Sequence, residues 1–333
     1  MLFSFQRLTG PCRSLASAAI GLALSMGITH PAQAQQYGPR IFWLAPSGIN
    51  AIEFQLIHQE TNTAVDAAVV YPNLEIDTTA LVGTYSRTFN LGDTSGQFVF
   101  SLPYAWADVD LSAGSRDIDR NAEGFADSYA HLKIGLVNAP GLDIPEYVQY
   151  MVEENPQVQV YALAAMFIPT GEYDADHVVN LGSNRWTFRA GVPIVMRLSE
   201  NWQPGNRTTL EVVPVVDFFT DNQSPPLSSN ERVGQFVASR TSQNPLFRLE
   251  AHLTQDLGEQ VWVSLDTYYV AGGATYADGE GGDNPQSWLA VGGTLGANLW
   301  EGGTLSVNGG AVVARNDNSP EGWQMRLVLI QAF

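Results

Sequence analysis

Period-two alternation of apolar and polar side chains is the feature that most limits what this 333-residue chain can fold into. Phe98, Phe100, Leu102, Tyr104 and Trp106 alternate with Val99, Ser101, Pro103 and Ala105. Trp186, Phe188, Ala190, Val192, Ile194, Met196 and Leu198 interleave with Arg185, Thr187, Arg189, Gly191, Pro193, Val195 and Arg197. Successive side chains of a strand point to opposite faces, so such a segment has one apolar and one polar face. About twelve segments read this way, over roughly 49–58, 74–89, 97–107, 125–137, 157–168, 185–198, 208–219, 245–255, 260–270, 287–299, 303–314 and 323–333. Many reach the roughly 9–11 residues a tilted strand needs to cross a bilayer. Beyond residue 34 no apolar run approaches the ~18 residues of a transmembrane helix. The pattern therefore predicts an all-β chain, a transmembrane antiparallel β-barrel of about 12 strands occupying 49–333.

The connections alternate as well. Tight turns at 93–96, 256–259 and 301–303 fall between longer loops at 108–124, 169–184, 220–244 and 271–286. Short turns on one side and long loops on the other is the layout of an outer-membrane barrel. The segment 138–156 is placed on the short side, with one or two helical turns between Asp143 and Glu154. Trp106, Trp186, Trp300 and Trp323 sit near strand ends, as interfacial aromatic girdles require. The last strand alternates Trp323, Met325, Leu327 and Leu329 and ends on Phe333, the form of signal that barrel-assembly machinery reads. A secreted β-sandwich also alternates. It has no need, however, of a charged face beneath seven consecutive apolar positions.

Residues 1–34 have the layout of a secretory signal: Arg7 and Arg13, an uncharged apolar run from Leu15 to Ile28, and Ala32-Gln33-Ala34 as a cleavage site. Removal near Ala34 takes away two arginines and no acid. It leaves 14 basic against 34 acidic residues, a formal −20 where the whole chain has −18. It also removes Cys12, the one cysteine, and with it any disulfide or thiolate chemistry. Residues 35–48 are expected as an N-terminal segment, periplasmic or lumenal. The destination is the outer membrane of a Gram-negative bacterium.

The acidic excess is not spread evenly. Half of the 34 acids fall in the long loops, which hold few arginines. The inward faces are nearly balanced. There Arg87, Lys133, Arg185, Arg189, Arg197, Arg248 and Arg326 are expected opposite Glu53, Asp127, Glu211, Asp217, Glu250 and Asp266, with Tyr129, His131 and His252 among them. Such a lumen is either a ladder of ion pairs that stiffens and partly fills the barrel, or a polar path that orients a solute. Barrels of about 8 strands are filled and those of 16–18 are open, so twelve leaves both readings in play. Nucleic acid is excluded as a partner, because little here could neutralise phosphates.

Glu172, Asp174, Asp176 and His177 form an acidic loop at the expected pore mouth. Neither this loop nor Asp278-x-Glu280-x-x-Asp283 has the spacing of a calcium loop, and no metal or cofactor is expected. No G-x-S-x-G or H-E-x-x-H occurs, and the histidines do not suggest a catalytic set. No catalytic residue is assigned; an outer-membrane hydrolase is the least favoured class.

Ile168-Pro169-Thr170-Gly171-Glu172-Tyr173-Asp174, followed by Asn180-Leu181-Gly182-Ser183-Asn184-Arg185-Trp186-Thr187-Phe188, resembles the most characteristic segment of the phenol meta-pathway degradation family. Phe98-x-Phe100-x-Leu102-Pro103-Tyr104 and the closing strand are similar to it too. The resemblance implies an outer-membrane transporter barrel that passes small solutes, aromatic or hydrophobic compounds among them. Its partners would be membrane lipids, the assembly machinery at Phe333 and the solute. The alternative is a non-conducting structural or adhesive barrel acting through its acidic loops. In this segment Pro169 ends a strand, Gly171 permits a turn, and Arg185 is expected to anchor the loop at the pore mouth.

Overall fold

The computed structural model describes residues 37–62, 74–113, 116–176, 180–200, 202–225 and 238–333, with the side chains of 109–120 and Leu74 left aside. The leader, its cleavage site at Ala34 and His177 lie outside the described residues.

The first half runs β1 (Asn50–Thr61), β2 (Leu74–Leu91), β3 (Thr94–Ala113), β4 (Arg116–Phe125), β5 (Ser128–Val137), α1 (Ile144–Glu153), β6 (Val158–Ile168), β7 (Thr187–Gly191) and β8 (Ile194–Arg197). It continues with β9 (Thr208–Phe219), β10 (Thr241–Gln243), β11 (Leu246–Asp256), β12 (Val261–Gly272), β13 (Thr275–Ala277), β14 (Glu280–Gly281), β15 (Gln286–Trp300), β16 (Gly303–Arg315) and β17 (Gly322–Ala332). β4 and β5 form one stave bent at Ala126-Asp127, and β7 and β8 another bent at Val192-Pro193. β10, β13 and β14 make a small separate sheet among the loops. The staves that remain are 12, antiparallel and closed by β1 against β17, from Ala51 opposite Ala332 to Thr61 opposite Gly322. Among the described residues closure leaves no stave of the barrel with an unpaired edge, the condition for crossing a bilayer with strands.

Local chemistry explains the bend at Val192-Pro193. Pro193 has no N–H to give the ladder, so the pairing of β6 passes from β7 to β8 there. Its carbonyl still accepts from Tyr161 at 2.9 Å, and Val192 donates to Pro214 at 3.1 Å. The tight turns on the side where β1 begins and β17 ends (the termini of the barrel itself) are short: Gly92-Asp93 joins β2 to β3 and Glu301-Gly302 joins β15 to β16. Gly92 (φ 61°) and Gly302 (φ 70°) supply the left-handed backbone those turns need.

Two expectations need correction. The predicted loop 108–124 is mostly β-hairpin, because β3 and β4 stay paired from Tyr104 opposite Phe125 out to Ala113 opposite Arg116. A ladder already in register continues where the sequence is rich in charge. The helix in 138–156 is longer than one or two turns. Asp143 accepts from the Glu146 amide at 2.9 Å and Glu146 accepts from the Asp143 amide at 3.0 Å, a reciprocal cap that starts ten helical residues.

The outer surface is an apolar belt. Leu56, Leu327 and Val307 stand side by side on neighbouring staves, all exposed. Replacing Leu327 by Arg puts a cation into that belt, and about 2–4 kcal/mol of stability is expected to be lost near mid-membrane. Denaturant titration in vesicles measures the loss; an unchanged midpoint would place this rung outside the bilayer. The core lies inside the barrel. At the end nearer the termini, Phe42, Leu44, Tyr161, Val195 and Val213 form one cluster with Met151 of α1. A second joins Leu246, Tyr268, Val270, Trp288 and Ala290.

Candidate functional site: the lumen

The lumen is divided lengthwise. Residues 37–49 thread into it before β1 begins, and Phe42 is fully buried there. This stretch is in neither helix nor strand, so its amides need partners. Two buried wall carboxylates supply them. Glu250 accepts from the amides of Tyr37 (3.2 Å) and Gly38 (3.1 Å). Glu211 accepts from those of Arg40 (2.5 Å) and Phe42 (3.2 Å). Hydrogen bonds to a charged acceptor contribute about 1.5–3 kcal/mol each. The Arg40 guanidinium bonds Asp256 at 2.6 Å and lies over the rings of Trp43 and Trp262. Trp43 meets Trp202 edge-on, and Arg207 reaches the same Asp256 at 2.9 Å. Alternating cations and aromatic faces thus pin the segment to the wall.

Behind it the wall carries a charge network. Asp217 is almost fully buried between Arg189, which grips both its oxygens at 2.5 and 2.7 Å, and Arg248 at 2.7 Å. Arg189 also donates to the Tyr37 hydroxyl at 3.1 Å, and Arg248 to that of Tyr268 at 2.6 Å. His252 sits between Glu250 (3.1 Å) and Asp266 (2.7 Å). Asp266 further accepts from Ser264 (2.5 Å) and Thr294 (2.6 Å). Buried charges are tolerable when each is paired and hydrogen-bonded in this way.

The opposite side is open. A cavity of about 910 Å³ runs along β17, β1, β2 and β3, with β16 beside them. Gln55, Gln59, Thr84, Ser101, Ser306 and Gln324 face it, with Val82, Val99 and Val328 between them. Glu53 and Arg326 are the charged residues of that wall, and Arg326 bonds Gln55 at 3.3 Å. Across the same cavity stand Arg40, Arg185, Arg189, Arg207, Asp217 and Arg248, so a neutral wall of amides, hydroxyls and small aliphatic groups faces a charged one.

The loop between β6 and β7 closes over the end remote from the termini. Asp127, at the bend between β4 and β5, accepts from the amides of Gly171 and Ser183, both at 2.9 Å, and from the Ser183 hydroxyl. Asn180 accepts from the Asp174 amide at 2.7 Å. Gly171 and Gly182 touch backbone to backbone: a Cβ on Gly182 would lie 2.6 Å from the Gly171 carbonyl oxygen. Gly182→Ala is therefore expected to cost about 1–3 kcal/mol of overpacking and to release the loop. Faster limited proteolysis within 169–186 measures this; an unchanged cleavage rate would mean the close approach is not needed.

The residues expected in the lumen separate into groups. Asp127, Tyr129, His131, Arg185, Arg189, Asp217, Arg248 and Arg326 line the cavity. Glu250, His252 and Asp266 are buried behind the N-terminal segment. Lys133 is buried with its ammonium over the Tyr161 ring and 3.3 Å from the Trp43 carbonyl. Arg197 lies at the end nearer the termini, against Met151 and over Trp202. Arg87 is a correction: it is exposed on the outer face at the rim and donates to Asn50 at 3.3 Å. On β2 the inward set is Thr84, Ser86 and Thr88, so Arg87 falls outward with Tyr85. Glu172, Asp174 and Asp176 are exposed, and the same loop meets the cavity through Leu181 and Ser183. Arg185 donates to Gln243 at 2.7 Å and stacks on Phe219, while Asp127 holds the loop amides. Among the described residues no group of three His, Cys, Asp or Glu is arranged to hold a metal.

What sequence reasoning missed was Tyr37, Arg40 and Trp43 as lumen residues. The available signal was composition. A run with Tyr37, Ile41, Phe42, Trp43 and Leu44 is too apolar for a tail left in water.

The family described as the MetA-pathway of phenol degradation matches residues 59–327. Among solved structures, an outer-membrane channel from Pseudomonas putida F1 is similar at TM-score 0.70 and 17% identity, covering 90% of this chain and 100% of that one. The β domain of the Bordetella autotransporter BrkA gives TM-score 0.47 at 10% identity, over 87% and 100% of the two chains. The translocator domain of the autotransporter NalP from Neisseria meningitidis gives 0.40 at 11%, over 97% and 95%. At these identities the likeness is one of fold, and the first of the three carries it. Comparison with curated proteins finds no match.

Proposed function

The chain belongs to the family described as the MetA-pathway of phenol degradation, and from that premise we propose an outer-membrane channel for small uncharged solutes, aromatic compounds among them. The observation that carries this reading is the open neutral wall of the lumen. Hydroxyl and amide side chains there can exchange hydrogen bonds with a passing solute, and the aliphatic residues between them tolerate its apolar parts. The fixed charges on that wall are Glu53 and Arg326, and the arginines across the cavity are mostly tied to carboxylates or amides, which would leave the neutral wall as the path for an uncharged solute. The lumen residues named above would act as a rigid frame, with Tyr129, Arg189 and Arg326 facing the path. The protein would reach the outer membrane of a Gram-negative bacterium after leader removal near Ala34. Lipids would surround its belt, and the strand ending at Phe333 would be read by the assembly machinery.

Swelling of proteoliposomes tests the proposal. A pentose is expected to enter well above the rate of protein-free vesicles, and the sodium salt of its aldonic acid much more slowly. Equal rates for the two would contradict selection for neutral solutes. The filled half of the lumen favours a second reading, a closed barrel acting through its exposed loop carboxylates. Silence toward both solutes would support it.

A further inference from the structure

The helix α1 carries an apolar edge that no other part of the described chain covers. Its inner side is accounted for: Tyr147, Tyr150 and Met151 pack on the cluster around Phe42 and Tyr161, and Tyr150 donates to the Asn138 carbonyl at 3.2 Å. Beside that face, Ile144, Val148 and Val152 are 55%, 55% and 66% exposed. Their spacing of four places them in one line along the helix. The insertion that carries this line departs from the apolar belt of the outer surface and returns to it. The chain leaves that belt at Leu136 and Val137, both exposed, and rejoins it at Val158, also exposed. Asn138 donates to the Val158 carbonyl at 2.8 Å, which holds the two ends of the insertion together at the barrel rim.

We propose that α1 is an interfacial helix whose Ile144–Val148–Val152 edge lies at the acyl-chain boundary of the leaflet on the side of the termini. The occupant is lipid hydrocarbon and not an anionic headgroup. Between Asp143 and Glu154 the chain has four acids (Asp143, Glu146, Glu153, Glu154) and no Lys or Arg. Helices that bind anionic surfaces carry basic polar faces, so this one is held by apolar burial alone. The consequence is mechanical. The leaflet grips one side of α1 while the other side caps the barrel end beneath the N-terminal segment. The inference rests on the barrel's seat in the membrane and not on any solute.

The test uses the full chain with Cys12 replaced, folded into phosphatidylcholine vesicles, with a nitroxide placed by Val148→Cys, Val152→Cys or Gln149→Cys. Collision rates with lipid-dissolved oxygen and with an aqueous nickel chelate report depth. The oxygen-to-nickel ratio is expected to be several-fold higher at 148 and 152 than at 149, and no higher when anionic lipid is added. A ratio at 148 and 152 equal to that at 149 would overturn the proposal. So would a ratio that rises with anionic lipid, or spin–spin broadening that shows a second copy on this edge.

Discussion

A chain lacking residues 37–43 is expected to conduct several-fold more current per channel than the intact protein in planar bilayers. Those residues fill the charged half of the lumen, and the barrel wall does not need them for its own ladder. With the segment gone, Glu211 and Glu250 lose four amide donors, but water entering the widened lumen replaces them. The wall therefore stays folded and the cross-section grows. Glu211→Gln with Glu250→Gln should move part of the way, with brief openings as the weakened bonds break. A shortened chain with the conductance of the intact one would mean that the segment does not limit flow.

Asp217→Asn is expected to be the most damaging single substitution in the wall, at about 3–5 kcal/mol. Its carboxylate is the shared partner of Arg189 and Arg248, and an amide of the same shape leaves two guanidinium groups in a buried site without that charge. Asn also offers one acceptor oxygen where both carboxylate oxygens now accept from Arg189. A lower denaturant midpoint and an earlier loss of the heat-modifiable gel form measure the effect. A shift below about 1 kcal/mol would indicate a pair bathed in water, as at an exposed surface.

The staves were legible because each has one face in lipid, where alternation is enforced residue by residue. The predicted 208–219 coincides with β9, and 303–314 falls one residue short of β16. Where that pressure ends, legibility ends. The paired stretch Asp108–Ala113 and its partner strand carry a high density of charge, so they read as loop although their backbone is strand. Arg87 was assigned to the wrong face because Thr84, Ser86 and Thr88 on one side and Arg87 on the other are all polar. Asp127, Arg189, Asp217 and Arg248 were found as inward charges, but their pairings link strands and depend on register. The N-terminal segment was left open between periplasm and lumen. Its partners Glu211 and Glu250 lie more than 150 residues away, and nothing local announces them. The hold of Asp127 on the loop was not foreseen for a similar reason: the bend at Ala126-Asp127 that aims its carboxylate at Gly171 and Ser183 is tertiary.

The lumen is filled on one side by the N-terminal segment and open on the other along a neutral wall. Thiol accessibility tests it most directly, in a chain with Cys12 replaced. Ser101→Cys lies on the open wall and Thr209→Cys on the wall behind the segment, where Thr209 is fully buried and bonded to Thr254. A small water-soluble thiol reagent is expected to modify position 101 rapidly and position 209 only after residues 37–43 are removed. Equal rates at the two positions in the intact protein, or no reaction at 101, would contradict the account.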